Sequence, residues 1–359
     1  MNAAFAELSR RALTPNPHMA PPAIEAAALV IPHDSIVILA AWQSEALGSE
    51  RLVGLWALAR RRNWRGGFAA HLVSPVMPLY EVSSVPVIDR DHVEDVVQAM
   101  VSHINAASDL PNTLLLPVLP LDGRLTDALR ELCRRSGSRI ATYESWDRPM
   151  MVPEPGEDAE LYLRRALGAS YKKRMQQFRA ATKAGALAFQ RRRGIAAREG
   201  FEAFLELEAA GWKGKGRTAI LSRAADAAYF RKLVAGFADI DALQLDTLLL
   251  DEQPIAMGVL IESAGTRHFL KIAYDESQSR LSPGRTLTIA MIRADFAGTP
   301  PTVFDSGAGD GVDASTYVWG ERTLMGHVVI GLASAKPRAA HLAASARRTL
   351  RRLRDRRKS

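Results

Sequence analysis

Three apolar runs, at residues 242–250, 254–262 and 266–274, follow one another with only Asp251-Glu252-Gln253 and Ser263-Ala264-Gly265 between them. Connectors this short join antiparallel neighbours and have no room for a crossover, so the runs are expected to form a meander. A polar loop at 275–281, a helix opening at Ser282-Pro283-Gly284 and a short strand at 302–304 come next. A helical crossover returns the chain parallel to the third run. The expected result is an antiparallel sheet with one parallel pair, split where a ligand enters.

The first turn of a helix holds amides with no partner inside the helix. Ser282 suits the N-cap, and Pro283 suits the first helical position, where a missing N–H does no harm. Gly284 lets a ligand approach the backbone, and the amides of Gly284, Arg285 and Thr286 at the positive end of the helix dipole favour a phosphate. Arg280 and Arg285 flank the turn and would add charge-assisted bonds. Taken alone, Ser-Pro-Gly reads equally well as an ordinary surface cap beside two solvated arginines.

Ahead of this stretch, residues 1–22 carry Pro15, Pro17, Pro21 and Pro22, and a flexible N-terminus is expected there. Residues 23–152 alternate strand-like runs (35–41, 51–59, 113–119, 139–143) with helical spacing (91–104, 125–135), which describes an α/β unit with a loop at 71–86. Pro153-Glu154-Pro155-Gly156 then opens a second unit over 153–334. Its early part holds a helix at 158–167 and a basic amphipathic helix at 170–184 with Tyr171, Met175 and Phe178 on its apolar side. A strand at 186–191 and helices at 200–210 and 224–237 lead into the meander. The fold class is therefore α/β (α+β), with mixed, mostly antiparallel sheets flanked by helices.

A net charge of +8 suggests a nucleic-acid binder, but residues 347–359 alone carry +7 and leave +1 for the rest of the chain. Nucleic-acid binding by the folded body is not expected. The basic tail, 335–359, has Leu342, Leu350 and Leu353 among its arginines. It reads either as a solvated charge run or as a contact with an anionic membrane surface, where each basic residue is worth roughly 1 kcal/mol. The single cysteine, Cys133, excludes an internal disulfide and suits a reducing cytoplasm. No apolar run approaches the roughly 20 residues that span a bilayer, and the first residues lack a signal-peptide pattern. A cytoplasmic protein is expected, peripheral to the inner face of the membrane if the tail binds lipid. The histidines lack metal-ligand spacing, so no metal is expected.

Five motifs occur in order: Glu208-Ala209-Ala210-Gly211-Trp212-Lys213-Gly214 with Thr218-Ala219, Lys271-Ile272-Ala273-Tyr274-Asp275, Ser282-Pro283-Gly284, Asp305-Ser306, and Trp319 with Glu321-Arg322. Spanning residues 161–323, they resemble the CelD-type, or BioF-like, acetyltransferases of the GNAT superfamily, a group similar in architecture to the FemABX peptidyltransferases. The resemblance implies tandem GNAT-like domains, the first over 23–152 and the acyltransferase domain over 153–334. One departure stands out: family members often have a cysteine after the Asp-Ser pair and a Pro-Asp-His or Tyr-Lys further on. This chain has Gly307-Ala308-Gly309-Asp310-Gly311, so no acid–base role for those residues transfers.

The activity implied by the resemblance is transfer of an acyl group, acetyl above all, from acyl-CoA (acetyl-CoA) to an amine. The co-substrate would lie between the splayed strands, along the backbone of Ile272, Ala273 and Tyr274, with its phosphates on Arg280, Leu281, Ser282, Pro283, Gly284, Arg285 and Thr286. Asp305 is the candidate base, with Glu208 and Asp275 behind it, and Lys271 is a candidate oxyanion donor. Asp305 reads equally as a loop brace, and Lys271 as a carboxylate's partner. Trp212, Lys213, Asp275 and Trp319 are candidate acceptor-site residues, although Trp319 also suits plain packing. The acceptor, a small-molecule, lipid or glycan amine of envelope polysaccharide or lipid synthesis, rests on family analogy alone. An aminoacyl-tRNA donor and a non-catalytic role in polysaccharide assembly are the alternatives.

Overall fold

The computed structural model describes residues 2–44, 48–61, 70–73, 81–183, 185–309 and 318–332. The chain divides into two compact units, Met1–Asp147 with Leu324–Ser359, and Arg148–Thr323. The basic tail lies outside the described residues.

In the first unit, helices α1 (Asn2–Arg11) and α2 (Pro21–Ala28) precede strands β1 (Ile36–Ser44), β2 (Glu50–Arg61), β3 (His71–Val73) and β4 (Val87–Ile88). Helix α3 (Val93–Ala106), strand β5 (Thr113–Pro120), helix α4 (Arg124–Ser136) and strand β6 (Arg139–Met151) follow, with residues 148–151 of β6 counted in the second unit. β1, β2 and β3 are antiparallel neighbours, and β3 lies parallel to β5. A late strand, Glu321–Gly331, which the sequence reading did not assign, pairs antiparallel with β5 from Met325 to Gly331.

The flexible N-terminus expected over 1–22 does not hold. α1 buries Phe5 and Leu8, Arg11 Nε donates to Asp89 Oδ2 at 2.8 Å, and the Leu13 amide donates to Ile88 O at 2.8 Å. Proline breaks the interior of a helix, but Pro17 and Pro21 stand at the start of helical turns, where no N–H is needed.

The second unit opens with α5 (Ala159–Leu167), α6 (Tyr171–Lys183), β7 (Leu187–Arg193), α7 (Gly194–Glu199), α8 (Phe201–Ala210), α9 (Trp212–Lys215) and α10 (Ala224–Asp239). The meander follows as β8 (Leu243–Leu250), β9 (Gln253–Ser263) and β10 (Thr266–Tyr274), then α11 (Pro283–Ala297) and β11 (Val303–Asp305). The strand order is β7-β8-β9-β10-β11, with residues 150–151 of β6 beyond β11. These neighbours pair antiparallel except β10 with β11, as the connector lengths require.

Both hairpins close on two residues with positive φ: Asp251 and Glu252 at 49° and 66°, Ala264 and Gly265 at 47° and 79°. Consecutive left-handed residues match the twist of the strands they join and fix the register, Leu250 opposite Gln253 and Ser263 opposite Thr266. α11 buries Leu287, Ile289, Met291 and Ile292, and the same core holds Phe269, Phe304 and Trp319, with the last two rings stacked at 4.8 Å. Gly258 on β9 makes room for this, since a Cβ there would stand 2.6 Å from the Phe269 ring.

A charged network ties four elements together. Arg191 of β7 grips Asp246 of β8 at 2.9 and 2.8 Å and reaches Asp295 of α11 at 2.6 Å, and Asp295 also takes Arg267 of β10.

Candidate functional site

β10 pairs with β9 from Thr266 to Tyr274, with a shift of register between Phe269 and Lys271. On its other edge it pairs with β11 only from Thr266 to His268. Beyond His268 that edge has no strand partner among the described residues, so its backbone groups other than Ile272 O are open to a ligand. The two strands do not splay as expected from the sequence: β11 pairs with β10 along all three of its residues, and the open edge arises because β11 ends at Asp305.

Past the end of β10, Ser282 takes the N-cap position of α11 in the left-handed region (φ 48°, ψ 56°), and its side chain makes no capping bond. Its carbonyl accepts the Thr286 amide at 2.9 Å, and the Thr286 hydroxyl donates to Leu281 O at 2.8 Å. Thr286 therefore drops out as a donor to phosphate, because its amide is the first to enter the helical ladder. Pro283 has no N–H to give, which leaves the amides of Gly284 and Arg285 at the positive end of the helix. A Cβ on Gly284 would press to 3.3 Å on the Tyr274 ring and 3.4 Å on Ile272 Cδ1, so bare backbone fits this turn.

Arg285 is half-buried, and burial together with Arg174 of α6 pushes its pKa down. Arg174 donates to Gln177 Oε1 at 3.2 Å, and no carboxylate pairs with either guanidinium among the described residues. Arg280 is exposed, and Leu281 packs against the core instead of facing a ligand. Two neighbouring cations without a counter-charge, beside two unused amides, make an electropositive notch. Arg174 was not singled out in the sequence; the available signal was an acid-free helix with several basic residues.

A second cluster forms where α8 and α9 meet β10. Glu208, 2% exposed, accepts the Ile220 amide on Oε2 at 2.8 Å. Its Oε1 faces Lys271 Nζ at 2.7 Å and Lys213 Nζ at 3.5 Å. Lys213 Nζ also donates to Ile272 O at 2.5 Å, on the open stretch of β10. Burial and then Lys271 lower the Lys213 pKa, and Glu208 opposes them. Trp212, 52% exposed, has the Lys213 ammonium 5.8 Å from its ring and donates its backbone N–H to Glu276 Oε1 at 2.6 Å. One pocket is lined by Leu207, Glu208, Gly211, Trp212, Lys213, Ile272, Ala273 and Tyr274. The structure thus brings together most of the residues quoted from the first two motifs.

Asp305 stands apart from this pocket, and its carboxylate is engaged in the bracing role that the sequence also allowed. It is 7% exposed, faces Arg148 Nη1 at 3.3 Å and His268 Nδ1 at 3.8 Å, and accepts the Gly307 amide at 2.8 Å. Burial alone would raise its pKa, but Arg148, His268 and the Gly307 amide outweigh it and hold the carboxyl at about 2. So weak a base braces the end of β11 and takes up few protons at neutral pH. Trp319, 1% exposed against Phe304 and Phe269, is a core residue and not part of an acceptor surface. Asp275 accepts the Ser277 amide at 2.8 Å and caps the short turn Glu276–Leu281, which accounts for its carboxylate. Among the described residues no group of His, Cys, Asp and Glu could hold a metal, and no helix is long and apolar enough to cross a membrane.

Residues 169–315 match the family model described as an acetyltransferase (GNAT) domain. Among solved structures, FemX is 10% identical, with 92% of this chain and 95% of that one covered and a TM-score of 0.59. A conserved protein of unknown function from Bacteroides thetaiotaomicron is 9% identical over 92% and 96% of the chains, with a TM-score of 0.58. A C-terminal DUF2156 domain from Agrobacterium fabrum is 12% identical over 96% of each chain, with a TM-score of 0.54. No curated protein matches. At these identities the likeness is one of fold, and the fold is of the GNAT acyltransferase type.

Proposed function

We propose that this protein is an N-acyltransferase that draws its acyl group, acetyl above all, from acyl-CoA and passes it to an amine. The supporting observation is the notch at the start of α11, where the amides of Gly284 and Arg285 and the guanidiniums of Arg174 and Arg285 meet no carboxylate among the described residues. Orphaned donors of this kind fit a pyrophosphate, for which helix amides and arginines are the usual partners. Acyl-CoA, when bound, would supply the activated thioester. The chain's own part is to hold the phosphates at Gly284, Arg285 and Arg174, and to offer open-edge amides of β10 to an oxygen that gains charge. The pocket with Trp212, Lys213 and Glu208 then receives the amine. The CelD/BioF-like resemblance favours an amine of envelope polysaccharide or lipid synthesis as acceptor.

Calorimetry with coenzyme A tests this. Binding is expected, and it should weaken about tenfold or more in Arg174→Ala/Arg285→Ala, since a hydrogen bond to a charged group is worth about 1.5–3 kcal/mol. No binding by the wild type, or equal binding by the double variant, would refute the reading. One observation favours aminoacyl-tRNA as donor instead: Lys172, Lys173, Arg179 and Lys183 of α6 are all exposed, and the helix has no acid. Steeply salt-dependent tRNA binding without affinity for coenzyme A would select that second reading.

A further inference from the structure

Two lysines converge on one buried carboxylate oxygen. Lys271 Nζ stands 2.7 Å and Lys213 Nζ 3.5 Å from Glu208 Oε1, while Oε2 is occupied by the Ile220 amide at 2.8 Å. The side chains of Lys271 and Lys213 are only 10% and 18% exposed. With both lysines protonated, two ammonium groups would crowd one carboxylate oxygen away from water. Desolvation acts most strongly on the more loosely paired cation, which is Lys213.

A neutral lysine has two N–H groups and a lone pair in place of three N–H groups. Two acceptors meet Lys213 here, Ile272 O at 2.5 Å and Glu208 Oε1 at 3.5 Å. Two N–H groups satisfy both, and the lone pair is left for the pocket that Trp212 and Tyr274 also line. Among the described residues, the titratable and charged groups facing Lys213 are Glu208 from α8 and Lys271 and Tyr274 from β10. Glu276 is engaged elsewhere, by the Trp212 amide and by Lys215 at 3.2 Å. Asp305, the other carboxylate considered for proton transfer, is held by Arg148.

We propose that Lys213 is the proton acceptor for the incoming amine, its neutral form favoured because it shares Glu208 with Lys271. This rests on the acyl-transfer reading above. The acceptor arrives as an ammonium and gives one proton to the Lys213 lone pair. Its freed nitrogen attacks the thioester carbonyl carbon; the C–N bond forms and the C–S bond breaks. The departing sulfur leaves as a thiol with the second proton of the amine, and Lys213 returns its own proton to water. One amide, one thiol and one released proton balance the ammonium and thioester consumed. The downward displacement of the Lys213 pKa by burial and by Lys271 agrees with this arrangement.

Competitive labelling of the intact chain with trace acetic anhydride, from about pH 6 to about pH 11 and read peptide by peptide in a mass spectrometer, tests the assignment. Lys213 should reach half-labelling below the exposed lysines of the same digest, low enough to leave a measurable neutral fraction at the pH of the transfer assay. In Lys271→Met its midpoint should climb by about one unit or more toward the ordinary value of about 10.4, because the like charge is gone. In Glu208→Gln it should fall further. Lys213 labelling in step with the exposed lysines, or a midpoint unmoved by Lys271→Met, overturns the proposal. Lys213→Met should bind coenzyme A as the wild type does, yet release thiol from acetyl-CoA in the presence of an accepted amine about 100-fold more slowly, with the acid limb of the pH profile lost. Intact coenzyme A binding with an ordinary Lys213 midpoint removes the base assignment alone. No coenzyme A binding beside a low midpoint removes the transfer reading, and the role of Lys213 in it.

Discussion

Asp305 gains its charge at a cost in desolvation that Arg148, His268 and the Gly307 amide more than offset, and its folded pKa of about 2 lies below the ordinary 3.8. A depressed carboxyl stabilises the fold fully above the unfolded value and loses that contribution as pH falls through the folded one. The window is therefore about pH 4 down to about pH 2, and the shift corresponds to about 2 kcal/mol. Urea titrations of wild type and Asp305→Asn should show their stability gap shrinking by about that much between pH 5 and pH 2; a constant gap would sink the ion-pair account. Arg148→Met should cost more, about 3–5 kcal/mol, because it leaves a buried carboxylate unpaired. Single residues were legible in the sequence where their chemistry is local: Gly284 at a helix start, Trp212 and Lys213 in a glycine-flanked stretch. For Asp305 and Trp319 two readings stayed open in the sequence because their partners, Arg148 for one and Phe269 for the other, come from distant strands that no local pattern brings together.

α11 lies across the strands that bear the site, and its hold on them is partly ionic. Asp295, 1% exposed, receives Arg191 from β7 and Arg267 from β10, and Arg267 sits in the short stretch where β10 still pairs with β11. Asp295→Ala should therefore destabilise the protein by about 3–5 kcal/mol, as expected when the buried Arg267 and the half-buried Arg191 lose their shared partner. Hydrogen exchange should quicken first at residues 266–268 and 303–305, where the parallel pairing begins; uniform quickening over the whole unit would argue against this local role. The meander was legible because its connectors are too short for any other topology, and the helix start after it because proline and glycine punctuate it. The N-terminal helices were not, since a proline that breaks one helix starts the next, and the late strand Glu321–Gly331 pairs with a segment some two hundred residues earlier.

Over the whole molecule the charge is concentrated at one end of the sequence, +7 of the +8 falling in residues 347–359. The folded units need not be attracted to a polyanion for the chain to be, and the two effects can be separated. If the tail meets anionic lipid headgroups, each basic residue near the surface contributes roughly 1 kcal/mol, and the attraction reaches only about a Debye length, about 8 Å at physiological salt. Full-length protein should then sediment with vesicles rich in phosphatidylserine at low salt, fall off severalfold at about 0.5 M salt, and ignore neutral vesicles. A chain ending at Ser334 keeps every described residue, so it should retain coenzyme A binding and lose the vesicles. Equal sedimentation of the shortened chain would move the membrane contact onto the folded units, where the exposed lysines of α6 are one source of positive charge.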